Sequence, residues 1–254
     1  MSIGEMVDYA PPMVFGEKLD FEWLMTRAER IMLIHLLKQF TPVTAIEIGT
    51  YKGGSLQVIS RYAKNTFTFD LDPKPELESL FSNVSFITGD SAKTLPKIID
   101  QINLSNEPAG FVLIDGDHSD AGVRRDVEHV LKLQPRVPIA IVMHDSFNPA
   151  VRKGILAARW EACPWVHYVE IDFVPGIFLP GRRVTNRSMY GGFGFALLLP
   201  ERRNGPLEIY QSQFHKFEIC RRFAWCSGFM GIVSNRLGGA VLTAKSYVRR
   251  ILRR

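Results

Sequence analysis

Three cysteines in 254 residues, Cys163, Cys220 and Cys226, are too few for a disulfide framework, and none stands in a CxxC pair or at zinc-ligand spacing. Sparse, odd cysteines of this kind read as reduced thiols, so a cytoplasmic setting is expected. Long apolar runs are also missing: no window of about 20 residues is apolar enough to span a bilayer. No early stretch joins a basic region to an apolar run and a small-residue cleavage site. Met1–Ala10 is polar and acidic, so no secretory leader is expected. A Gly-x-Gly-x-x-Gly turn is absent too, which disfavours a dinucleotide-dependent oxidoreductase. What is present, 46% hydrophobic and 22% charged residues, suits a globular chain with an ample core, either one large α/β domain or one domain plus an extension.

The net charge of +5 is unevenly spread. From Glu201 onward there are 11 Lys/Arg against 3 Asp/Glu, a net of +8, which leaves −3 for the first 200 residues. A mildly acidic body therefore carries a strongly basic tail.

Pro11-Pro12 and two glycines mark residues 1–20 as an irregular arm. Phe21–Phe40 spaces Phe21, Trp23, Leu24, Ala28, Ile31, Met32, His35 and Leu36 by threes and fours, the pattern of an amphipathic helix that Pro42 ends. Seven β-rich runs follow: Thr44–Ile48, Thr66–Asp70, Val84–Ile87, Phe111–Ile114, Ile139–Met143, Val166–Asp172 and Phe193–Leu199. Segments of helical length such as Ser55–Ala63 and Ala121–Leu133 separate the first five. The alternation predicts a Rossmann-like, doubly wound α/β fold with a mostly parallel, seven-stranded sheet. The last two runs read as an antiparallel edge hairpin with a long excursion, Val174–Gly192, between them. Residues 206–254, with aromatics and arginines interleaved, read as an added helical extension broken around Asn235–Gly239. The expected organisation is an arm and helix over 1–40, a central domain over 41–200, and a basic helical extension over 201–254.

In open α/β sheets ligands bind at the carboxyl ends of the strands. The first end reads "AIEIGTYKGGSLQVIS", in which Gly49, Gly53 and Gly54 permit a tight turn and Ser55 can cap the next helix. Glu47 at this strand end repels a pyrophosphate and suits an ammonium group, which favours a zwitterionic cofactor. The second end, "FDLDP", places Asp70 to accept from both hydroxyls of a ribose, with Asp72 behind it. The third, "ITGDS", offers Asp90 to an adenine amino group.

In this order, "EIGTYKGGS", "FDLDP", "ITGDS" and "LIDGDHS…HDS" resemble a class I S-adenosylmethionine-dependent methyltransferase, nearest the "methyltransferase 24" branch. That branch is related to small-molecule O-methyltransferases and to cephalosporin-hydroxylase-like proteins. The resemblance covers roughly Phe40–Pro200. It implies a cofactor-binding set of Glu47, Gly49, Thr50, Gly53, Ser55, Asp70, Asp90, Ser91 and Asp115, with S-adenosylmethionine as cofactor.

Methyl transfer from a sulfonium to an alcohol needs an aligned nucleophile stripped of its proton, hence a base, a Lewis acid, or both. The fourth strand end supplies Asp115, Asp117 and His118, and the fifth supplies His144, Asp145 and Ser146. The catalytic candidates are His118, His144 and Asp145. Two carboxylates from neighbouring strands can hold Mg²⁺, and the resemblance to catechol-type enzymes maps their metal ligands onto Asp115, Asp145 and Ser146. Ser146 stands where those enzymes have asparagine, and His118 where they have a catalytic lysine. A metal-free site with a histidine base stays open beside the metal site.

The implied activity is O-methylation of a small-molecule hydroxyl, plausibly on a sugar or secondary metabolite. Arg182, Arg183 and Arg187 in the excursion suit an anionic acceptor. The basic tail reads as an oligomer-forming helix pair or, next, as a peripheral contact with an anionic membrane face. Nucleic acid is not expected: no known nucleic-acid module appears, nor does the Asn/Asp-Pro-Pro-Tyr/Phe motif of base-amino methylation. The rival from another class is a non-catalytic binding or scaffold protein of the same fold, docking through its tail.

Overall fold

The computed structural model describes residues 21–179 and 188–225. The N-terminal arm, Arg182, Arg183, Arg187, Cys226 and the tail beyond residue 225 lie outside the described residues. The described residues open with helix α1 (Arg27–Phe40), shorter than the apolar spacing predicts because Thr26 starts it. Thr26 and Glu29 form a reciprocal capping box, each side chain taking the other's backbone N–H.

Strand and helix then alternate: β1 (Thr44–Ile48), α2 (Leu56–Tyr62), β2 (Asn65–Asp70), the short α3 (Pro75–Glu78), β3 (Val84–Thr88), α4 (Ser91–Leu104), β4 (Ala109–Ile114), α5 (Asp120–Val130), β5 (Ile139–His144) and α6 (Pro149–Ala157). A 3₁₀ turn at Trp160–Ala162 leads to β6 (Val166–Val174), the two-residue strands β7 (Ile177–Phe178) and β8 (Met189–Tyr190), β9 (Phe193–Leu198) and β10 (Ile209–Tyr210). Residues 214–225 are helical.

The main sheet has eight strands in the order β10-β6-β9-β5-β4-β1-β2-β3. All pairings are parallel except those of β9, which runs antiparallel between β5 and β6. The expected hairpin is therefore present, with β9 as its inner strand. One strand more than expected closes the edge, because Ile209–Tyr210 pairs with Val169–Glu170 of β6. The sheet thus continues past residue 200, into the segment read as a separate extension. The excursion begins and ends in a small ribbon, with Ile177 opposite Tyr190 and Phe178 opposite Met189.

Helices cover both faces, so β1, β4 and β5 are buried along their whole length. Their side chains divide with the two-residue period of a strand. Ala45, Phe111, Leu113, Ala140 and Val142 meet Leu33, Leu37 and Ile59 of α1 and α2. Ile46, Val112, Ile114, Ile141 and Met143 meet Leu95, Ile99, Val123, Val127 and Ile155 on the other face. Because β1 neighbours both β2 and β4, the crossovers diverge there, and the crevice at that switch point is where such a fold accepts a ligand.

Candidate active site

A cavity of about 900 Å³ opens at the carboxyl ends of the parallel strands. Its lining includes Gly49, Asp70, Asp90, Ser91, Asp115, His118, His144 and Asp145, so most of the residues expected to act together do converge. Gly49 has φ +102°, and a Cβ there would lie 2.2 Å from the carbonyl oxygen of Asp115. The turn therefore demands glycine twice, for its dihedral and for the close passage of the β4 end.

Asp70 ends β2 with its carboxylate already oriented. The backbone N–H groups of Tyr51 and Asp72 donate to it at 2.8 and 3.0 Å, and Lys74 lies 3.2 Å away. Each oxygen keeps acceptor capacity towards the cavity. Asp90 caps α4 by accepting from Ala92 N–H, and lines the cavity as well. Ser91 donates to Asp126 at 2.8 Å beneath it. Asp126 is buried, and that burial pushes its carboxyl up to about 6.

Glu47, Thr50, Gly53 and Ser55 sit differently from expectation: none of them lines the cavity. Glu47 is wholly buried between sheet and helix, accepting from Ser55 Oγ and Thr68 Oγ1, each at 2.6 Å. Thr50 extends the chain by a 2.6 Å bond to Thr68. Burial pushes the Glu47 carboxyl up to about 8. This network fixes the β1–α2 turn from below.

At the other end of the cavity, acids and imidazoles alternate. His118, about half exposed, places Nε2 3.0 Å from Asp145 Oδ2 and 3.6 Å from Asp115 Oδ1. These contacts with Asp115 and Asp145 push it up to about 10, against partial burial. His144 is buried, with Nδ1 2.8 Å from Asp115 Oδ1 and Nε2 3.6 Å from Glu29 Oε2. Burial opposes its charge, yet Asp115, Asp145 and Glu29 outweigh burial and hold it protonated well above the usual range. The aspartates respond in kind: burial alone would raise them, but the imidazoles hold Asp115 below the usual carboxylate range and Asp145 at about 2. Asp145 adopts φ +58° and accepts from Gly191 N–H.

Glu29 is the member that the sequence did not reveal. Its Oε1 accepts from Gly192 N–H, 163 positions away. The Thr26-x-x-Glu29 spacing signals a helix start, but nothing local signals the contact with His144. Asp117 does not cap α5; Ser119 does so by accepting from Gly122 N–H, and Asp117 in turn accepts from Ser119 N–H.

The residues proposed for Mg²⁺ do not fit a hydrated divalent ion as they stand. Asp115 and Asp145 are neighbours, but the His118 imidazole lies between them and takes up their charge. Ser146, the third expected ligand, is buried and lies outside the cavity lining, its Oγ close against Gly192. Among the described residues no group of three or more His, Cys, Asp or Glu side chains is arranged to hold a metal ion. The same residues also contain no helix long and apolar enough to cross a membrane.

Residues 46–146 match the family model of a methyltransferase domain. No curated protein sequence matches the chain significantly. Among solved structures, similarity extends to an O-methyltransferase from Bacillus cereus in complex with SAH, 20% identical, covering 66% of this chain and 79% of that one at a TM-score of 0.49. The O-methyltransferase TomG from Streptomyces achromogenes, in complex with SAM, is 17% identical, with 66% and 78% coverage and a TM-score of 0.47. The MycE methyltransferase of the mycinamycin pathway, in complex with Mg, SAH and mycinamycin VI, is 17% identical, with 66% and 49% coverage and a TM-score of 0.43.

Proposed function

We propose that this chain, whose residues 46–146 match the family model of a methyltransferase domain, moves a methyl group from S-adenosylmethionine to a hydroxyl oxygen of a small molecule. The observation that carries this reading is a single cavity joining Gly49, Asp70 and Asp90 to the Asp115–His118–Asp145 cluster. A sulfonium cofactor held there would supply an electrophilic methyl group, with the C–S bonding pair staying on sulfur to give a thioether.

The chain's own residues do the rest. Asp70, pre-oriented by two N–H groups, accepts from the ribose diol, and Asp90 with Ser91 lines the base-binding end. The acidic cluster contributes three carboxylates, Glu29, Asp115 and Asp145, against two imidazoles, a balance that favours a cationic ligand. His118 is the half-exposed imidazole of the cavity lining, whereas the two nitrogens of His144 are turned to Asp115 and Glu29. In its neutral form it takes the hydroxyl proton as the oxygen lone pair forms the new O–C bond, and Asp145 steadies the imidazolium that results. At rest His118 is protonated, so a cation bound beside it must first drive that proton off. A base so placed contributes about 10²–10⁴-fold.

Calorimetry with S-adenosylhomocysteine tests the cofactor half. Wild type binds, while Gly49→Ala and Asp70→Ala weaken binding severely; a wild-type protein that takes up none sinks the reading. Tritiated methyl transfer into a cell extract tests the base, with His118→Ala expected to lose about 10²–10⁴-fold of the rate. Undiminished transfer by that variant would remove His118 from the reaction.

A further inference from the structure

We infer that Glu29 is a positioning residue of the reaction centre, acting on Asp115 through the imidazole of His144. A capping box needs only a hydrogen-bond acceptor at its fourth position, and a glutamate is almost never fully buried unless paired. Glu29 is instead 1% exposed, with a full charge beneath the ends of the central strands. An unpaired buried carboxylate is costly, so it needs a counter-charge in contact. The His144 imidazole is the group that meets it, with Nε2 3.6 Å from Oε2.

The dependence runs the other way as well. His144 Nε2 is buried and has no hydrogen-bond partner within bonding distance, so the Glu29 carboxylate is what faces it. Phe193 meets the imidazole edge-on, with ring centroids 5.7 Å apart, and limits its rotation. With the ring so held, Nδ1–H points at Asp115 Oδ1 and fixes that carboxylate in the cavity wall. Asp115 in turn faces His118. The groups facing His144 are thus Glu29 from α1, Asp115 from β4, Asp145 from its own strand end and Phe193 from β9. Glu29 and Asp145 also hold adjacent backbone N–H groups, of Gly192 and Gly191 respectively. One buried side chain on the first helix therefore sets both the imidazole and the turn that leads into β9.

The consequence for catalysis rests on the methyl-transfer reading, but the placement is testable without it. Ring-nitrogen NMR signals of the full-length resting protein are compared in wild type, Glu29→Gln and Thr26→Ala. Glu29→Gln should move the His144 signals and, through Asp115, those of His118. Thr26→Ala breaks the capping box but keeps the charge, so it should lower the melting temperature and leave the ring signals in place. Coincident ring signals for Glu29→Gln and wild type would overturn the inference, as would an equal movement in Thr26→Ala. If Glu29→Gln does not fold, Glu29→Asp, one methylene short of His144, is read on the same signals with the same criterion. Methyl transfer into extract by Glu29→Gln should fall about 10–100-fold at saturating cofactor, the usual cost of misplacing reacting groups, with binding of S-adenosylhomocysteine unchanged. Absence of such binding in wild type would defeat the methyl-transfer reading and still leave the ring signals to decide Glu29.

Discussion

Asp145→Asn alters one atom at the floor of the cavity, and it should shift the pH dependence of methyl transfer in a definite direction. The backbone tolerates the change, since Asp145 has φ +58° and asparagine is among the residues most at home there. The asparagine oxygen still accepts from Gly191 N–H, so the turn to β9 is preserved. What disappears is a negative charge 3.0 Å from His118 Nε2. In wild type, Asp115 and Asp145 push His118 up to about 10, and the base form appears only as pH rises towards that value. The logarithm of the rate should therefore climb with a slope near one from neutrality and level off near pH 10, shifted downward by any cationic cofactor bound beside the ring.

An opposite charge at this range is worth about 1–3 pKa units, so Asp145→Asn should level off about 1–3 pH units lower. Near pH 7 the variant then holds a larger neutral fraction than wild type. At high pH it is the slower enzyme, because the imidazolium formed in the reaction has lost a stabilising partner. The two profiles should cross. The assay is tritiated methyl incorporation into extract at saturating cofactor, each point normalised to the folded fraction by circular dichroism. A flat wild-type profile between pH 7 and 10, or a variant that levels at the wild-type pH, would refute the assignment of His118 as base.

Glu47 offers a prediction about stability. Burial raises its folded-state value from 4.5 to about 8, so the folded chain binds more protons than the unfolded chain between those values, and stability falls as pH rises across that window. Glu47→Gln removes the titration; it should melt higher than wild type at pH 9 and no higher at pH 5, and equal melting at pH 9 would contradict the buried-acid account. A chain ending at Pro200 loses β10, the 3.0 Å bond from Arg152 to Gln211, and Phe217, which is buried against Phe147. Losing one such aromatic alone costs about 3 kcal/mol, which for a domain of this size lowers the melting temperature by about 6–12 °C. An unchanged melting temperature would show that residues 201–225 are separable from the domain.

The sheet was legible because its strands are short β-rich runs bounded by turn residues, and because period-two burial leaves little freedom of register. Asp70, Asp115, His118, His144 and Asp145 were legible for a related reason: parallel strands deliver their ends to one side, so polar residues after buried runs must meet. Glu47 shows the limit of that logic. It stands one residue before the end of β1, and its side chain points into the layer between sheet and helix, where Ser55 and Thr68 take it up. Ile209–Tyr210 was missed because two residues carry no period, and only pairing with β6 makes them a strand. Glu29 was missed because its meaning depends on His144 and Gly192, which no local pattern connects to the first helix.

The ribbon of β7 and β8 bears on how the two buried acids beside it are held. Its two cross-strand pairs, Ile177 with Tyr190 and Phe178 with Met189, close the base of the excursion before the chain reaches Gly191 and Gly192. Those two glycines are moored to Asp145 and Glu29. The described ends of the excursion are therefore clamped at the ribbon, next to the turn that meets both acids. Mispairing of the ribbon would thus be felt first at Gly191 and Gly192, and through them at Asp145 and Glu29.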